Sequence, residues 1–322
     1  MKNLYVKDLK ANDSLFGEYF AVKSFQKKTG KMGEYADILL SDKTGELKAK
    51  MWSEALTKAT PVAEGDIAAV TAKVQDDPKF GMQLIVTDFV PATDFKAEDF
   101  MAASKFDVSE MWSELQDYKK KIKNKYLGEL IDNVFSTEVT GKFQTCAAGL
   151  TVHHAYKGGL LEHTLEMLKM SDSLSSSYPK INKDLLIAGI VLHDIGKIVE
   201  YETGLTVKIT TRGKLLGHIM IGTEMIRSAA PKSMPADLLD ELSHLILSHH
   251  GELEFGSPVK PRTVEAIAIS RFDDASAKIN AAYNMIQELG EGVEFSAYHR
   301  QLGTEIYNSP YLNELVNEDL PF

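Results

Sequence analysis

Residues 193–197, His-Asp-Ile-Gly-Lys, close an apolar run that extends from Leu185 to Leu192. His193 and Asp194 together offer an imidazole nitrogen and two carboxylate oxygens to a divalent metal, and a carboxylate can bridge two metals. Lys197 places a cation one turn further on, where a phosphate oxygen fits. Gly196 reads as a helix end at which the chain turns with positive φ. A lone His-Asp dipeptide is common by chance, so its weight comes from the ligand-like residues around it.

Those residues are His163, early in a helix, His218, which opens a helix after Gly217, and His249 and His250, which close a helix at Gly251. Asp273 completes the set in the middle of the last long helix. Each falls on its own predicted helix, so a bundle can aim them at one cavity. Nitrogen and oxygen donors without sulfur favour octahedral Mn²⁺, Mg²⁺ or Fe²⁺. The set exceeds what one ion needs once water and substrate are added, which predicts two divalent ions. Mn²⁺ is the first expectation, with Mg²⁺, Fe²⁺ or Co²⁺ as alternatives. Such a pair suits phosphodiester hydrolysis, because it activates water and steadies the leaving oxygen. The sequence does not choose between His249 and His250 as ligand, and both stay candidates. His153 and His154 line the cavity or bond locally. His244 and His299 read as structural or exposed, and Asp274 as a surface or supporting acid.

Behind these residues stand two kinds of element. Up to about residue 92 the chain reads as β, with runs at 16–25, 35–40, 46–52, 66–74 and 82–90 separated by turn signals such as Lys28-Thr29-Gly30 and Asp76-Asp77-Pro78. Five strands, with a short helical piece at 53–59 between the third and fourth, predict a small Greek-key barrel of the OB type. From about 95 the period becomes helical. Helices are predicted within 106–135 and at 160–174, 183–194, 218–229, 236–250 and 262–288, ended by Asn182, Gly217, Pro235, Gly251 and Pro261. The fold class is thus multidomain α and β: an OB-fold β-barrel followed by an all-α helical bundle. The expected division is 1–92 barrel, 93–145 helical linker and 146–322 metal-binding domain.

The bulk properties narrow the functional classes. A chain of 322 residues holds two domains with a buried core. It has no run long and apolar enough for a membrane span, and its first residues lack the apolar region of a signal peptide, so a cytoplasmic protein with no membrane partner is expected. Cys146, its single cysteine, excludes an intrachain disulfide and a thiolate metal site. The net charge of −10 argues weakly against a nucleic-acid partner, but binding depends on where the cations lie. Residues 21–50 carry seven Lys and four acids, and Lys208, Arg212 and Lys214 stand in a stretch without acids. These three are candidates for holding strand phosphates. On the barrel, Phe25, Tyr35, Trp52 and Phe80 are candidate stacking platforms, with Lys27, Lys28 and Lys31 nearby. The cluster from Lys119 to Lys125 reads as a solvated helix face or as a phosphate contact.

The barrel segment around Ser41-Asp42-Lys43-Thr44-Gly45 resembles the OB folds of nucleic-acid-binding proteins. The order His163, His193-Asp194, His218, His249-His250, Asp273 resembles the HD superfamily of metal-dependent phosphohydrolases. Within it, the stretches 153–164, 193–197 and 248–258 are most similar to the YhaM-type 3′→5′ exoribonucleases, which join an N-terminal OB domain to an HD domain. The resemblance implies that His163, His193, Asp194, His218, His249 and Asp273 hold the metals, that Asp194 is catalytic and that Lys197 meets the scissile phosphate. It implies stepwise hydrolysis of single-stranded RNA from its 3′ end to nucleoside 5′-monophosphates. Single-stranded DNA is a further expected substrate, since nothing visibly reads a 2′-hydroxyl. Ser276 stands where the family often has a further acid, which weakens any role for that position. Gly159, one turn before His163, stands where cyclic-dinucleotide members carry Glu and argues against a third metal. Alternative readings are a nucleotide or cyclic-dinucleotide phosphohydrolase and a non-catalytic nucleic-acid-binding adaptor. A homo-oligomer is compatible with the sequence, which shows no interface.

Overall fold

The computed structural model describes residues 2–313 apart from 31–32, 78–80, 151–153, 288, 291 and 301. Phe80, Lys31 and His153 therefore lie outside the described residues. Strands β1 (Ser14–Gly30), β2 (Gly33–Asp42), β3 (Gly45–Trp52), β4 (Ile67–Asp77) and β5 (Gly81–Pro91) close into a barrel in the order β1-β2-β3-β5-β4. The neighbours pair antiparallel except β3 and β5, whose parallel pairing from Lys48↔Gln83 to Met51↔Val86 belongs to the OB topology. Strict alternation sets the register: Leu47, Ala49 and Met51 are buried while Lys48 and Trp52 are exposed. Phe20, Leu40, Val70, Leu84 and Phe89 fill the rest of the interior. Helix α1 (Ser53–Lys58) falls between β3 and β4, as its sequence predicts.

The helical body follows, with α2 (Val108–Lys120), α3 (Lys125–Val134), α4 (Thr137–Thr145), α5 (Gly159–Ser177), α6 (Lys183–Leu192), α7 (Lys197–Glu200), α8 (Thr211–Ala229), α9 (Ala236–Ser248) and α10 (Val264–Gln287). The helical stretch read within 106–135 is two helices. Asn124 caps the second, its side chain accepting from the backbone N–H groups of Tyr126 and Leu127. Helices α2–α4 share one core with α5–α10, through Leu115, Leu127, Ile131 and Phe143 packed with Leu161, Leu186 and Ile246. The basic cluster lies on the surface, where Lys119, Lys120 and Lys121 pair with Asp132, Asp117 and Asp172. Helix α6 is buried on every side from Leu185 to Leu192. A helix of that kind runs through the middle of a domain, so its end delivers His193 and Asp194 to the interior.

A hairpin that sequence periodicity misses, β6 (Tyr201–Thr203) and β7 (Val207–Ile209), leaves the helical body and reaches the barrel. Its Leu205 packs on the cluster of Ala21, Ile67 and Phe100, and Lys208 Nζ donates to the Glu64 carbonyl. No helix among the described residues is long and apolar enough to cross a membrane.

Candidate metal centre and nucleic-acid face

Two helix ends build the centre by the same local device. His193 follows α6 and His249 follows α9, and each Nδ1–H donates at 2.7 Å to the carbonyl three residues back, Ile190 and Ile246. Those carbonyls belong to last turns, which have no backbone partner of their own, so the side chains satisfy them. The bond fixes each imidazole with Nε2 as the free lone pair. The negative ends of both helix dipoles also favour a cation there.

The remaining imidazoles are held the same way from different neighbours. His218 Nδ1 donates to Glu200 at 2.8 Å, and His250 Nδ1 donates to the Phe255 carbonyl at 2.8 Å. His163 Nδ1 meets the Ser276 hydroxyl at 2.8 Å. All five therefore leave Nε2 as the available nitrogen. His163 Nε2 lies 3.2 Å from His193 Nε2 and 3.3 Å from Asp273 Oδ1. Asp194 sits among them, with Oδ2 3.2 Å from His193 Nε2 and Oδ1 3.5 Å from both His218 Nε2 and His249 Nε2. Three groups among the described residues could hold a cation: His163–His193–Asp273 and His218–His249–His250 around Asp194, and His154–His163–Glu166 behind His163. Asp194 Oδ1, His218 Nε2 and His249 Nε2 are buried and lack a hydrogen-bond partner among the described residues. Buried donors of this kind are costly unless something completes them, and a hard or borderline divalent ion fits nitrogen and oxygen donors.

Charge follows the geometry. Burial works to raise the Asp194 carboxyl, but Lys197 and His193 overcome it and hold it well below the usual carboxylate range. Asp273 behaves alike, with His163 as its main counterweight to burial. Burial pushes His163, His249 and His250 down, which keeps them neutral, as a metal ligand must be. His193 is the exception: Asp194 outweighs its burial and raises it. Lys197 is raised despite burial, chiefly by Asp194, and its Nζ donates to Asp194 Oδ2 at 2.6 Å. The lysine expected at the scissile phosphate thus also anchors the central carboxylate.

Two expectations change. Gly196 has φ −64° and is no positive-φ helix end. A Cβ there would collide with the His218 carbonyl, so glycine lets the chain after Asp194 lie against α8. Positive φ belongs to Gly217, at φ 69°, which breaks α8 just before His218. Ser276 has a clear part, since it joins His163 to Glu166. His154 is fully buried and bonds Glu166 at 3.1 Å. As expected, Asp274 faces outward and pairs with Lys278, and His244 Nε2 accepts from the Arg262 N–H. Glu166, Glu200 and Ser276 are the residues that sequence reasoning misses: Ser276 and Glu200 come from other elements than the histidines they hold, and Glu166, one turn after His163, reaches it only through Ser276.

The strand-binding candidates divide. Phe25 is half-buried and packs on Phe89 with ring centroids 5.8 Å apart, so it belongs to the barrel core. Lys27 is exposed, and Lys28 pairs with Asp37 at 2.8 Å. Tyr35 and Trp52 are cross-strand partners with rings 5.6 Å apart, and Lys50 Nζ lies 5.8 Å from the Trp52 ring. Lys50 and Lys48 also line a groove of about 400 Å³ with Gln26 and Gln83. Lys208 is bound to the barrel at Glu64, and Arg212 pairs with Glu224 at 2.5 Å. Lys214 is exposed and makes no ion pair among the described residues.

Known proteins are similar to this chain over most of its length. The HD domain family matches residues 160–278. The 3′-5′ exoribonuclease YhaM of Halalkalibacterium halodurans is 30% identical over 301 residues, covering 92% of this chain and 93% of its own. That of Bacillus velezensis is 31% identical over 267 residues, covering 81% and 84%. That of Listeria monocytogenes serovar 1/2a is 30% identical over 285 residues, covering 86% and 90%. The second OB-fold domain of replication protein A from Methanococcus maripaludis is a solved structure matching 30% of this chain and 99% of its own, at 22% identity and TM-score 0.24. The HD match and the buried clusters point to divalent-metal binding. By its likeness over nearly the whole chain, the protein belongs to the YhaM family of HD-domain 3′-5′ exoribonucleases.

Proposed function

We propose that this protein removes nucleotides one at a time from the 3′ end of single-stranded RNA, releasing nucleoside 5′-monophosphates, and that it uses two divalent ions, Mn²⁺ first. The observation that carries the reading is the Asp194 carboxylate between two buried donor groups, with Oδ2 near His193 and Oδ1 near His218 and His249. His163, His193 and Asp273 would hold one ion, and His218 and His249, with His250 beside them, the other. The ions supply Lewis-acid polarisation of the phosphate and of water. Asp194 would contribute to both sites, kept anionic by Lys197, whose charge would also offset negative charge on the phosphoryl oxygens.

The barrel would hold the incoming strand on Tyr35, Trp52, Lys48 and Lys50, through stacking and backbone neutralisation. Lys214 would meet upstream phosphates more readily than Lys208 or Arg212, whose charges are already engaged. Single-stranded DNA is a second substrate under this reading. We divide the chain into 1–92 barrel, 93–145 linker helices and 146–322 metal domain, with the linker helices part of the helical core. A cytoplasmic location is part of the same proposal.

The test is incubation with 5′-labelled single-stranded RNA, with Mn²⁺ or with chelator. A descending ladder that needs the metal is expected. No cleavage, combined with fast turnover of a mononucleotide or cyclic dinucleotide, sinks the reading.

A further inference from the structure

Behind His163, on the side away from Asp273, runs a continuous chain of hydrogen bonds. His163 Nδ1 meets Ser276 Oγ at 2.8 Å, and the Ser276 hydroxyl donates to Glu166 Oε2 at 2.5 Å. His154 Nε2–H donates to Glu166 Oε1 at 3.1 Å. Asn280 Oδ1 in turn accepts from the His154 backbone N–H at 3.2 Å. Helical spacing explains the meeting: Glu166 follows His163 by three residues on α5, and Asn280 follows Ser276 by four on α10. Ser276 is 1% exposed, His154 and His163 are fully buried, and the Glu166 side chain is 34% exposed, so the His163–Ser276 link is shielded from water while Glu166 lies at its solvent side.

A serine has one hydroxyl proton. Because Glu166 receives it, the serine oxygen accepts, and His163 Nδ1 must carry the proton it donates. Nε2 is then the lone pair, directed at His193 and Asp273. A carboxylate acting through a hydroxyl also makes that nitrogen a better donor to a metal. We propose that Ser276 and Glu166 are positioning residues that set the tautomer and ring orientation of His163, and with them the affinity of the ion held by His163, His193 and Asp273. This rests on the two-ion reading above. Ligand atoms of His154, His163 and Glu166 also lie within 4.8 Å of one another, the arrangement of a separate cation site. The serine hydroxyl on His163 Nδ1 favours the hydrogen-bonded role instead.

The test is calorimetric titration of metal-free protein with Mn²⁺. Parent protein should bind two ions. Ser276→Ala should weaken one of them about 10–100-fold and leave the other and the total number unchanged. Ser276→Thr keeps the hydroxyl and should restore the parent affinity, which separates positioning from a packing defect. Glu166→Gln should also weaken one ion, and excess Mn²⁺ should restore turnover of Ser276→Ala towards the parent rate. Unchanged affinity in Ser276→Ala overturns the proposal. A loss of one bound ion at saturation in Glu166→Gln also overturns it, by making Glu166 a ligand. A parent protein that binds no Mn²⁺ overturns the two-ion reading itself, and the relay with it.

Discussion

The barrel and the helical body use charge in opposite ways. On the barrel most ion pairs are exposed or partly so, as with Lys28–Asp37 and Lys58–Glu54, and the interior is apolar. Exposed pairs of this kind contribute little to stability and can be rearranged. In the helical body, beside surface pairs such as Lys120–Asp117, a set of ionisable groups lies at the centre: Asp194, Lys197, His163, His193 and His249 are buried, and Asp194 Oδ1, His218 Nε2 and His249 Nε2 lack a hydrogen-bond partner among the described residues. A buried charge is tolerated only when it is paired or coordinated. The barrel can therefore vary its outer face around a fixed core, whereas the helical body builds its core around chemistry.

The largest test of this contrast is Asp194→Ala. Hydrolysis of labelled RNA should fall by at least about 10²–10³-fold, the scale of losing one electrostatic element of a reaction centre. Strand binding by the barrel, followed by filter retention, should stay near the parent value. If binding falls as far as hydrolysis, the two regions are not separate in function.

Glu200→Ala comes next, because Glu200 anchors His218. Metal affinity measured by calorimetry should drop about 10–100-fold, with the barrel unaffected. The reverse experiment is Trp52→Ala. It should cost roughly 1–3 kcal/mol of strand binding while turnover of a dinucleotide is retained. Equal loss on long and short substrates would remove Trp52 from the strand path.

Smallest is the pH response of the metal-free protein. His163, His249 and His250 titrate below the ordinary histidine value of about 6.5 because burial disfavours their charged form. Between the ordinary and folded values the unfolded chain binds more protons, so stability rises with pH across that window. Acidification below about pH 6.5 should therefore lower the melting temperature, by about 2–4 °C for each kcal/mol lost. His193 is raised and works the other way above that pH, one group against three. A melting temperature that climbs on acidification would show that the imidazoles are not held neutral.

Much of this was readable from local pattern. The alternation of Leu47, Ala49 and Met51 with Lys48, Lys50 and Trp52 predicts a half-buried strand, and the apolar run before His193 predicts a buried helix. The candidate ligand positions were legible by residue type, because each offers a nitrogen or oxygen donor and no sulfur. Gly196 reads as a helix end because helix-end glycine and close-packing glycine look alike in sequence. The hairpin at 201–209 escaped because three-residue strands carry too little periodicity.

By itself, then, the sequence determined the residue types, their order and hence the class of chemistry. Tertiary structure alone decided which atoms meet. His163 finds Ser276 across 113 residues, His218 finds Glu200 across a hairpin, and Lys208 turns to the barrel at Glu64, 144 residues away. Hydrogen bonds depend on distance and direction in space, and when partners come from separate helices no local spacing encodes them.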